Sequence, residues 1–440
     1  MPHRGVVLGE VGKKRRVLSG MRPTGRLHIG NYFGALQNWV KLQEDASNEC
    51  FFFIADWHSL TSDYADTSQI AQNCIEITTD FLAAGLDPKK VVIFQQSQVM
   101  EHAELHLLLS MITPLGWLER VPTYKEQIEN IKGKDLHTYG FLGYPVLQTA
   151  DIVIYGEPEM LLAVPVGEDQ VPHIELSREI VRKCNSHFGF GVKSSLFNPY
   201  DPAVLHRIDR AVDIPRILPP PSRVLDEWVS DGLIKGLRDR AGEIGAENFM
   251  ARLDECDREY FTVELILAVP DVMLTEAKRV PGLDGRKMSK SYGNAIELGE
   301  SDDSIRVKTK AMITDPARKR RTDPGNPDIC PVFDWHKLFS PAETLSWASV
   351  GCKTAGIGCI ECKTAMADNL IKWIAPIRAR RLEFAAEPGR VLEVIDAGSD
   401  RARETAQATM KRVREAVFGW NAKREAISGV ANEKRHGAGD

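Results

Sequence analysis

Two short segments contain the residue types that bind a triphosphate. The first, residues 20–31, reads Gly-Met-Arg-Pro-Thr-Gly-Arg-Leu-His-Ile-Gly-Asn and lies between a strand pattern and a helical pattern. Glycine lets the backbone approach a ligand closely, and the free N–H groups at a helix start suit phosphate. His28 and Asn31 are three residues apart, so they lie on one side of the first turn. Taken alone, the segment fits a plain glycine-rich turn equally well, because short glycine patterns are weak signals.

The second segment, residues 281–291, reads Pro-Gly-Leu-Asp-Gly-Arg-Lys-Met-Ser-Lys-Ser and follows the last predicted strand. Its lysines, Lys287 and Lys290, are spaced to reach the same anion from a mobile loop. A loop of this kind brings charge in only when the reacting state forms. A generic pair of lysines at this spacing is more often a solvated basic loop, so the segment gains meaning only beside the first one.

Four cysteines are grouped late in the chain, with the spacing C-x₂₁-C-x₆-C-x₂-C: Cys330, Cys352, Cys359 and Cys362. Four thiolates with a terminal C-x₂-C suit a tetrahedral zinc ion or an iron–sulfur cluster, and the spacing does not choose between them. The other four cysteines are scattered. Eight cysteines in 440 residues are too few for a secreted disulfide scaffold, so we expect a cytoplasmic protein.

Composition sets further limits. A chain of 440 residues, 43% hydrophobic and 27% charged, is typical of a globular protein with two or three domains and excludes a collagen-like or wholly disordered one. No apolar run approaches the roughly 18 residues of a transmembrane helix, so we expect no membrane partner. The net charge of -5 means that nucleic acid would need a local basic face. Two segments are candidates: 306–321, with seven Lys and Arg against one Asp, and 401–440, with nine Lys and Arg against five Asp and Glu.

The order of elements predicts the fold class. Apolar runs at 17–20, 51–55 and 91–95 read as strands, and helical patterns at 31–44 and 67–84 lie between them. This alternation predicts an α/β fold with a parallel sheet and helices on both faces. From about residue 301 the pattern is helical.

The same reading divides the chain. Residues 1–16 form a basic tail that we expect to be disordered, and the sequence does not show whether it is truly translated. The α/β domain comprises 17–187 and 265–300 and is interrupted by an insertion at 188–264, whose fold and role the sequence leaves open. Residues 301–440 form a helical domain that contains the four cysteines.

Taken together, the first two segments resemble the class I aminoacyl-tRNA synthetases, which have a His-Ile-Gly-type motif and a Lys-Met-Ser-Lys-Ser motif. Asn31, where most of that class has a second His, and the block 25–34 are similar to the tryptophanyl-tRNA synthetase family. Three further blocks agree with this family: 55–58, 143–155 and 164–170. The resemblance covers residues 17–187 and 265 to about 425. The cysteine pattern resembles the members of the family that hold a [4Fe–4S] cluster.

The resemblance implies a Rossmann-like catalytic domain, a helical anticodon-binding domain and a homodimer. It implies that L-tryptophan attacks the α-phosphorus of ATP, with Mg²⁺ assisting, and that the adenylate is then transferred to the 3′ end of tRNA(Trp). Neither step needs a covalent enzyme intermediate, so the protein positions groups and stabilises charge.

The resemblance also implies roles for individual residues. The expected catalytic residues are His28, Asn31, Lys287 and Lys290. The expected ATP site comprises Arg22, Pro23, Thr24, Gly30, Asn31, Gly167, Glu168, Asp169, Val280, Lys287, Met288, Ser289, Lys290 and Ser291. The expected tryptophan site comprises His58, Tyr144, Gln148, Asp151 and Gln170, with Asp151 accepting the indole N–H. Gln148 stands where many members carry Met. The expected cluster ligands are Cys330, Cys352, Cys359 and Cys362, with zinc as the alternative.

The residues also bear on three alternative functions. A tyrosine-charging relative is disfavoured by Asp151 and Asn31. A paralogue that binds RNA without catalysis would be favoured by an eroded Lys-Met-Ser-Lys-Ser motif, and the motif is intact. A free-standing iron–sulfur sensor is disfavoured because the scattered cysteines form no second cluster motif.

Overall fold

The computed structural model describes residues 14–121, 124, 136–158, 160–198, 200–214, 227–275, 280–421, 423, 424 and 427. Its strands are β1 (Arg15–Met21), β2 (Asn48–Ile54), β3 (Val92–Gln95), β4 (Leu161–Val166), β5 (Phe190–Val192), β6 (Phe261–Val263) and β7 (Asp271–Leu274). Strand β1 begins at Arg15, so the last two residues of the predicted disordered tail are in the sheet. Most of that tail, residues 1–13, lies outside the described residues.

Five strands form one sheet in the order β3-β2-β1-β4-β7. Strand β1 runs parallel to β4, with Arg15 opposite Leu161, and β2 runs parallel to β3, with Phe51 opposite Val92. Parallel strands are covered on both faces, and β2 reads accordingly as an uninterrupted apolar run from Cys50 to Ile54, all buried. The predicted α/β class with a parallel sheet is confirmed.

The helices begin and end close to the predicted residues. The first predicted helix, 31–44, is observed as three joined pieces, Ile29–Asn31, the π-helical Tyr32–Leu36 and Gln37–Leu42. The other α-helices of the described residues up to 300 are Asp56–Asp63, Ile70–Ala84, Glu101–Ser110, Leu115–Leu118, Tyr139–Val153, Val171–Phe188, Pro202–Val212, Glu227–Ile244, Ala246–Arg252 and Glu255–Arg258. Single 3₁₀ turns occur at Gln96–Gln98, Glu168–Gln170, Ser194–Leu196, Lys290–Tyr292 and Pro327–Ile329.

The region beyond residue 300 is helical, as predicted. Its described residues include the helices Asp302–Ala311, Pro331–Phe339, Ala342–Lys353, Cys359–Ala386 and Pro388–Phe418. Among the described residues, no helix combines the length and the apolar character that crossing a bilayer requires.

The described residues fall into two compact units. The first unit contains those of 1–18, 99–273 and 401–440, and the second contains those of 19–98 and 274–400. This division does not follow the predicted boundaries at 264 and 300, because helices of the C-terminal region bond to earlier elements. In the second unit, Arg380 Nε donates to the carbonyl of Ala83 at 2.7 Å. In the first unit, Arg412 Nη2 donates to the carbonyl of Gly156 at 3.1 Å.

Residues of the predicted insertion, 188–264, have a hydrophobic core of their own within the first unit. Strands β5 and β6 pair antiparallel at its base, with Phe190 opposite Val263. Ring centroids of Phe190 and Phe249 are 4.8 Å apart, and those of Phe249 and Phe261 are 5.1 Å apart. In its described residues, the fold that the sequence left open is therefore a two-stranded ribbon packed with helices of four to 18 residues. The Pro-rich segment 219–221 lies outside the described residues.

One glycine of the second unit permits a close backbone contact. Gly398, in the helix Pro388–Phe418, lies so near β3 that a Cβ there would be 1.8 Å from the carbonyl oxygen of Ile93. Next to it, the Ser399 hydroxyl accepts a hydrogen bond from the Gln95 N–H at 3.2 Å. The absence of a side chain at 398 lets this helix approach the strand.

We predict that Gly398→Ala lowers the free energy of unfolding by about 1–3 kcal/mol, because the added methyl group forces the helix away from Ile93. Gly389→Ala on the same helix is the matched control, since nothing lies within 4 Å of a Cβ there. Urea unfolding of both variants checks this, and equal stabilities would contradict the predicted contact.

Candidate active site

The glycine-rich turn forms a capped helix start in the second unit. Gly25 adopts a left-handed backbone, with φ of 94°, and the helix begins at Ile29. His28 and Asn31 cap it reciprocally: the Asn31 N–H donates to His28 Nδ1 at 3.2 Å, and the His28 N–H donates to Asn31 Oδ1 at 3.0 Å. A Cβ at Gly30 would lie 2.9 Å from His28 Nδ1, so only glycine fits there without displacing the ring.

His28 is held in its neutral form. Burial, together with the nearby ammonium of Lys290, lowers the pKa of His28 to about 4. Because Nδ1 accepts a hydrogen bond from the backbone, the proton of the neutral ring is on Nε2. The residue therefore offers an N–H donor at a helix start, next to backbone N–H groups that suit an anion.

The lysine segment forms a tight loop that contacts this turn. Gly282 N donates to the carbonyl of Arg286 at 2.7 Å, and Gly285 supplies the left-handed residue with φ of 77°. Lys290 Nζ donates to the carbonyl oxygens of Thr24 and Arg26, the latter at 2.9 Å. Burial lowers the pKa of Lys290. Lys287, by contrast, is exposed, as are Ser291 and the side chain of Thr24.

Backbone pairing fixes the two segments together. The N–H of Ile29 donates to the carbonyl of Ile296 at 3.0 Å, and the N–H of Leu298 donates to the carbonyl of Leu27 at 2.9 Å. Buried Met288 packs beside Gly30, with its Cβ 3.4 Å from where a Cβ at Gly30 would lie. The structure thus brings together two segments that are some 260 residues apart in sequence, which is the convergence that their sequence patterns suggested.

Further residues expected at the nucleotide lie on neighbouring elements of the second unit. Arg22 Nη2 donates to the Ser62 hydroxyl at 2.6 Å and to Asp63 Oδ2 at 3.0 Å. His58 lies on the same helix, Asp56–Asp63, and is half-buried. Buried Pro23 and buried Val280 are apolar, Ser289 is half-buried, and the Ser289 hydroxyl bonds to the Ser291 hydroxyl at 2.9 Å.

The first unit presents a polar face on the helix Tyr139–Val153. Tyr144, Gln148 and Asp151 follow one another at helical spacing, so their side chains share a face. Asp151 is fully buried, and its Oδ1 lies 2.6 Å from His102 Nδ1. The other ring nitrogen of His102 lies 2.6 Å from the hydroxyl of Tyr155.

This chain of three buried groups fixes the imidazole tautomer. A carboxylate only accepts, so His102 donates from Nδ1 to Asp151 and accepts at Nε2 from the Tyr155 hydroxyl. Burial, with the nearby carboxylates of Asp151 and Glu101, raises the pKa of Tyr155 well above its ordinary value, which keeps it a donor. The sequence interpretation missed His102. The only indication in the sequence was that His102 follows β3 closely. Ligands in α/β folds bind near the carboxyl ends of the strands.

The remaining residues expected at the substrates also lie in the first unit. The Tyr144 hydroxyl lies 2.8 Å from His173 Nε2. Gly167 follows β4 directly, and a Cβ there would be 2.8 Å from Asp169 Oδ1. Glu168 and Asp169 are exposed, and Gln170 Nε2 donates to Asp169 Oδ2 at 3.0 Å. A glycine followed by carboxylates at a strand end is an arrangement that can accept hydrogen bonds from ribose hydroxyls.

The four grouped cysteines lie in the second unit, at helix ends. Cys330 precedes the helix Pro331–Phe339, Cys352 lies in the last turn of Ala342–Lys353, and Cys359 and Cys362 lie in the first turn of Cys359–Ala386. Burial and the three other cysteines raise the pKa of Cys362 to about 12.

The side-chain positions do not support the predicted metal centre. Among the described residues, no group of three or more His, Cys, Asp or Glu side chains is arranged to hold a metal ion. Two of the sulfur atoms face other partners: Cys352 Sγ lies 3.8 Å from Arg318 Nη1, and Cys362 Sγ lies 3.4 Å from His336 Nε2.

The basic segment 306–321 is only partly a solvated surface. Lys308 forms a 2.7 Å ion pair with Glu300, Arg306 forms one of 2.6 Å with Asp368, and Arg318 is buried. The exposed cations of this segment are Arg306, Lys310, Lys319, Arg320 and Arg321. In the segment 401–440, residues 422, 425, 426 and 428–440 lie outside the described residues.

Known proteins resemble this chain over most of its length. The model of the family "tRNA synthetases class I (W and Y)" matches residues 10–210 and 246–374. The chain belongs to this family of class I tRNA synthetases. The unmatched stretch between the two parts, residues 211–245, lies within the predicted insertion.

Individual relatives point to the tryptophan branch of the family. A tryptophan–tRNA ligase of Ralstonia nicotianae is 47% identical over 408 residues, which cover 91% of this chain and 98% of the relative. One of Thermotoga maritima is 42% identical over 403 residues, with the same shares covered. The solved tryptophanyl-tRNA synthetase of Campylobacter jejuni, complexed with ADP and tryptophan, is 28% identical with a TM-score of 0.65, covering 91% of this chain and 99% of that one.

Proposed function

We propose that this protein is a tryptophan–tRNA ligase. It activates L-tryptophan with ATP to tryptophanyl-adenylate, releases pyrophosphate, and transfers the tryptophanyl group to the 3′ end of tRNA(Trp). The observation that carries the proposal is the bond from Lys290 to the carbonyls of the Thr24–Arg26 turn, because it joins the cation of the lysine segment to a helix start. The close relatives support tryptophan as the amino acid.

The second unit supplies the groups for ATP, which enters as its magnesium complex. The helix start at Ile29 offers backbone N–H groups, and neutral His28 offers Nε2–H, so both donate to phosphate oxygens without a competing positive charge. Lys290 and Lys287 neutralise the negative charge that develops on the leaving pyrophosphate. Met288, Ser289 and Ser291 shape the loop that carries these lysines. Arg22, Pro23, Thr24, Gly30, Asn31 and Val280 surround the nucleotide in this proposal.

Lys290 must exchange partners during the reaction. Its ammonium is bonded to the carbonyls of Thr24 and Arg26, and a phosphate oxygen is a stronger acceptor than a carbonyl. The segment that carries it, Lys290–Tyr292, ends at Gly293 with φ of 64°, so the loop has a glycine pivot at its end. Binding of the triphosphate therefore transfers the ammonium from the protein backbone to the substrate.

The first unit supplies the groups that select tryptophan. Asp151 accepts the indole N–H, and a carboxylate can accept this bond beside the one from His102 because it has about four lone-pair positions. His102 and Tyr155 keep the carboxylate oriented. An amino acid without this N–H leaves a buried carboxylate unsatisfied, which rejects phenylalanine. Tyr144 and Gln170 hold the substrate ammonium, Gln148 packs on the indole ring, and His58 contacts the nucleotide or the amino acid.

Glu168 and Asp169, after the turn at Gly167, accept hydrogen bonds from the ribose and adenine of ATP. The tRNA partner binds the exposed cations of 306–321, and the helical C-terminal region reads the anticodon. The sparse cysteines of the sequence support a cytoplasmic location.

The proposed function is tested by charging tRNA(Trp) with labelled amino acids. We expect tryptophan to be transferred and tyrosine not, and Asp151→Asn to lower kcat/KM for tryptophan by about 100-fold or more, because a charged acceptor is lost. The KM for ATP should stay unchanged. Asp201→Asn, which removes a carboxylate charge but keeps an oxygen that can cap the insertion helix Pro202–Val212, is the control and should charge normally. Full activity of Asp151→Asn would contradict the assigned selection of the indole.

For the cysteine group, the proposal is a [4Fe–4S] cluster held by Cys330, Cys352, Cys359 and Cys362, with a structural role. Three of these residues lie at helix N-termini, whose dipoles favour the negative charge of a thiolate-bound cluster, and Arg318 adds a cation beside Cys352. Metal binding would displace the thiol protons and turn Cys352 and Cys362 from their present partners. The cluster would tie together the three helices on which the cysteines lie.

Anaerobic purification tests the cluster. We expect absorbance at roughly 400 nm and about four irons per chain. Cys359→Ser should lose both the absorbance and the iron. Cys256→Ser is the matched control, since this exposed cysteine lies in the insertion. A colourless protein with one zinc per chain would support the alternative metal and reject the cluster.

The homodimer is also part of the proposal. Four large apolar side chains are exposed at spacings of seven and four residues: Met100, Leu107, Met111 and Leu115. Exposed apolar side chains so close together in the sequence of one unit suit a self-complementary contact with a second copy. We expect sedimentation of the wild-type protein to give the mass of two chains. Met111→Glu should shift this mass toward that of a single chain. A wild-type protein with the mass of one chain would contradict the proposal.

A further inference from the structure

A fully buried carboxylate lies directly beneath the glycine-rich turn. Asp80, on the helix Ile70–Ala84, has two different partners on its two oxygens. Oδ2 accepts a hydrogen bond from the backbone N–H of Leu27 at 2.6 Å, and Oδ1 accepts one from Arg381 Nε at 2.7 Å. The sequence patterns that identified the turn gave no indication of either contact.

Leu27 is the residue on which the geometry of the turn depends. It immediately precedes His28, the cap of the helix start, and its carbonyl accepts a hydrogen bond from the Leu298 N–H at 2.9 Å. Its N–H is held by Asp80 and its carbonyl by the segment that follows the lysine loop. The two peptide groups of Leu27 therefore have fixed orientations, which set where His28 and the first helical N–H groups point.

Arg381 extends this contact to a second residue of the turn. Its Nη2 donates to Glu76 Oε2, and the same carboxylate oxygen accepts a bond from Arg26 Nε at 3.1 Å. The guanidinium is nearly buried, with 7% of its side chain exposed, against Gly299, where a Cβ would lie 3.0 Å from Arg381 Cδ. Arg26 and Leu27 are thus both tied, through two carboxylates, to one arginine of the helix Cys359–Ala386.

The charge of the buried Asp80 carboxylate explains why it needs both Arg381 and the Leu27 N–H as partners. Burial raises the pKa of Asp80 to about 6, although Arg381 and the Leu27 N–H act in the opposite direction. At neutral pH the carboxylate is therefore ionised only at a cost that the guanidinium offsets. A buried ion pair of this kind adds little stability over an apolar pair of similar volume, so its effect is to be sought in the geometry of the turn rather than in stability.

We propose that Asp80 and Arg381 are positioning residues for adenylate formation: they hold the backbone at Arg26 and Leu27 so that His28, Gly30 and Asn31 meet the triphosphate. The proposal rests on the proposed function and extends it to two residues that touch no substrate. It also means that the C-terminal helix Cys359–Ala386 is linked to the ATP-binding turn through the carboxylates of Asp80 and Glu76.

The test is tryptophan-dependent ATP–pyrophosphate exchange by the full-length protein, normalised to active sites by adenylate titration. We expect Asp80→Asn and Arg381→Met each to lower kcat/KM for ATP by about 10- to 100-fold, since small displacements of positioned groups cost rate steeply. The KM for tryptophan should change less than twofold. The double variant should be no slower than the slower single variant, because the two residues act as one unit.

Two further variants sharpen the test. Asp368 lies on the same helix as Arg381 and forms an exposed ion pair with Arg306 of another helix. Asp368→Asn removes this pair and should leave kcat and the KM values for ATP and tryptophan unchanged. Arg381→Lys keeps the charge but cannot serve both carboxylates, so it should fall between wild type and Arg381→Met. It also provides a measurement if Arg381→Met does not fold.

The outcomes separate the possibilities. Normalised kcat and KM for ATP that match wild type, with only a lower melting temperature, would show a purely structural pair and overturn the proposal. Additive losses in the double variant would also overturn it, because the residues would then act independently. Wild-type protein without tryptophan-dependent exchange would instead reject the proposed function itself.

Discussion

The backbone of residues 24–27 is held from two sides by charged groups distant in sequence. The Lys290 ammonium bonds to the carbonyls of Thr24 and Arg26, and the buried Asp80 carboxylate accepts the N–H of Leu27. A helix start stabilises an anion only if its N–H groups already point at the ligand, because reorienting them during the reaction costs free energy. The nucleotide chemistry proposed here depends on this prior fixation, and so does the neutral state of His28.

A buried carboxylate that is held by neighbouring side chains also occurs in the first unit. Asp151, His102 and Tyr155 form a buried relay in which each hydrogen bond fixes the next donor or acceptor. Such a network costs free energy when one member is unsatisfied, and in the proposed function this cost is the source of selectivity for an indole N–H. In both units, a side chain expected to touch a substrate is oriented by groups that do not touch it.

The sequence predicts what depends on neighbouring residues. The spacing of His28 and Asn31 leads directly to their capping box, and the apolar run of β2 to a covered parallel strand. The sequence does not predict contacts between residues far apart in the chain. Asp80 and Arg381 are 301 residues apart, His102 and Asp151 are 49 apart, and no periodicity links the members of either pair. The predicted domain boundaries likewise took no account of contacts such as Arg380 to Ala83, which join late helices to early ones. The cysteine spacing indicated a metal site, yet spacing cannot show which partners the sulfurs face.

The most direct measurement is ATP–pyrophosphate exchange by the wild-type protein with each of the twenty amino acids in turn. The account predicts that L-tryptophan alone supports exchange, because only its side chain brings an N–H donor on a double ring to Asp151. Exchange with tyrosine at a comparable rate, or no exchange with any amino acid, would contradict it.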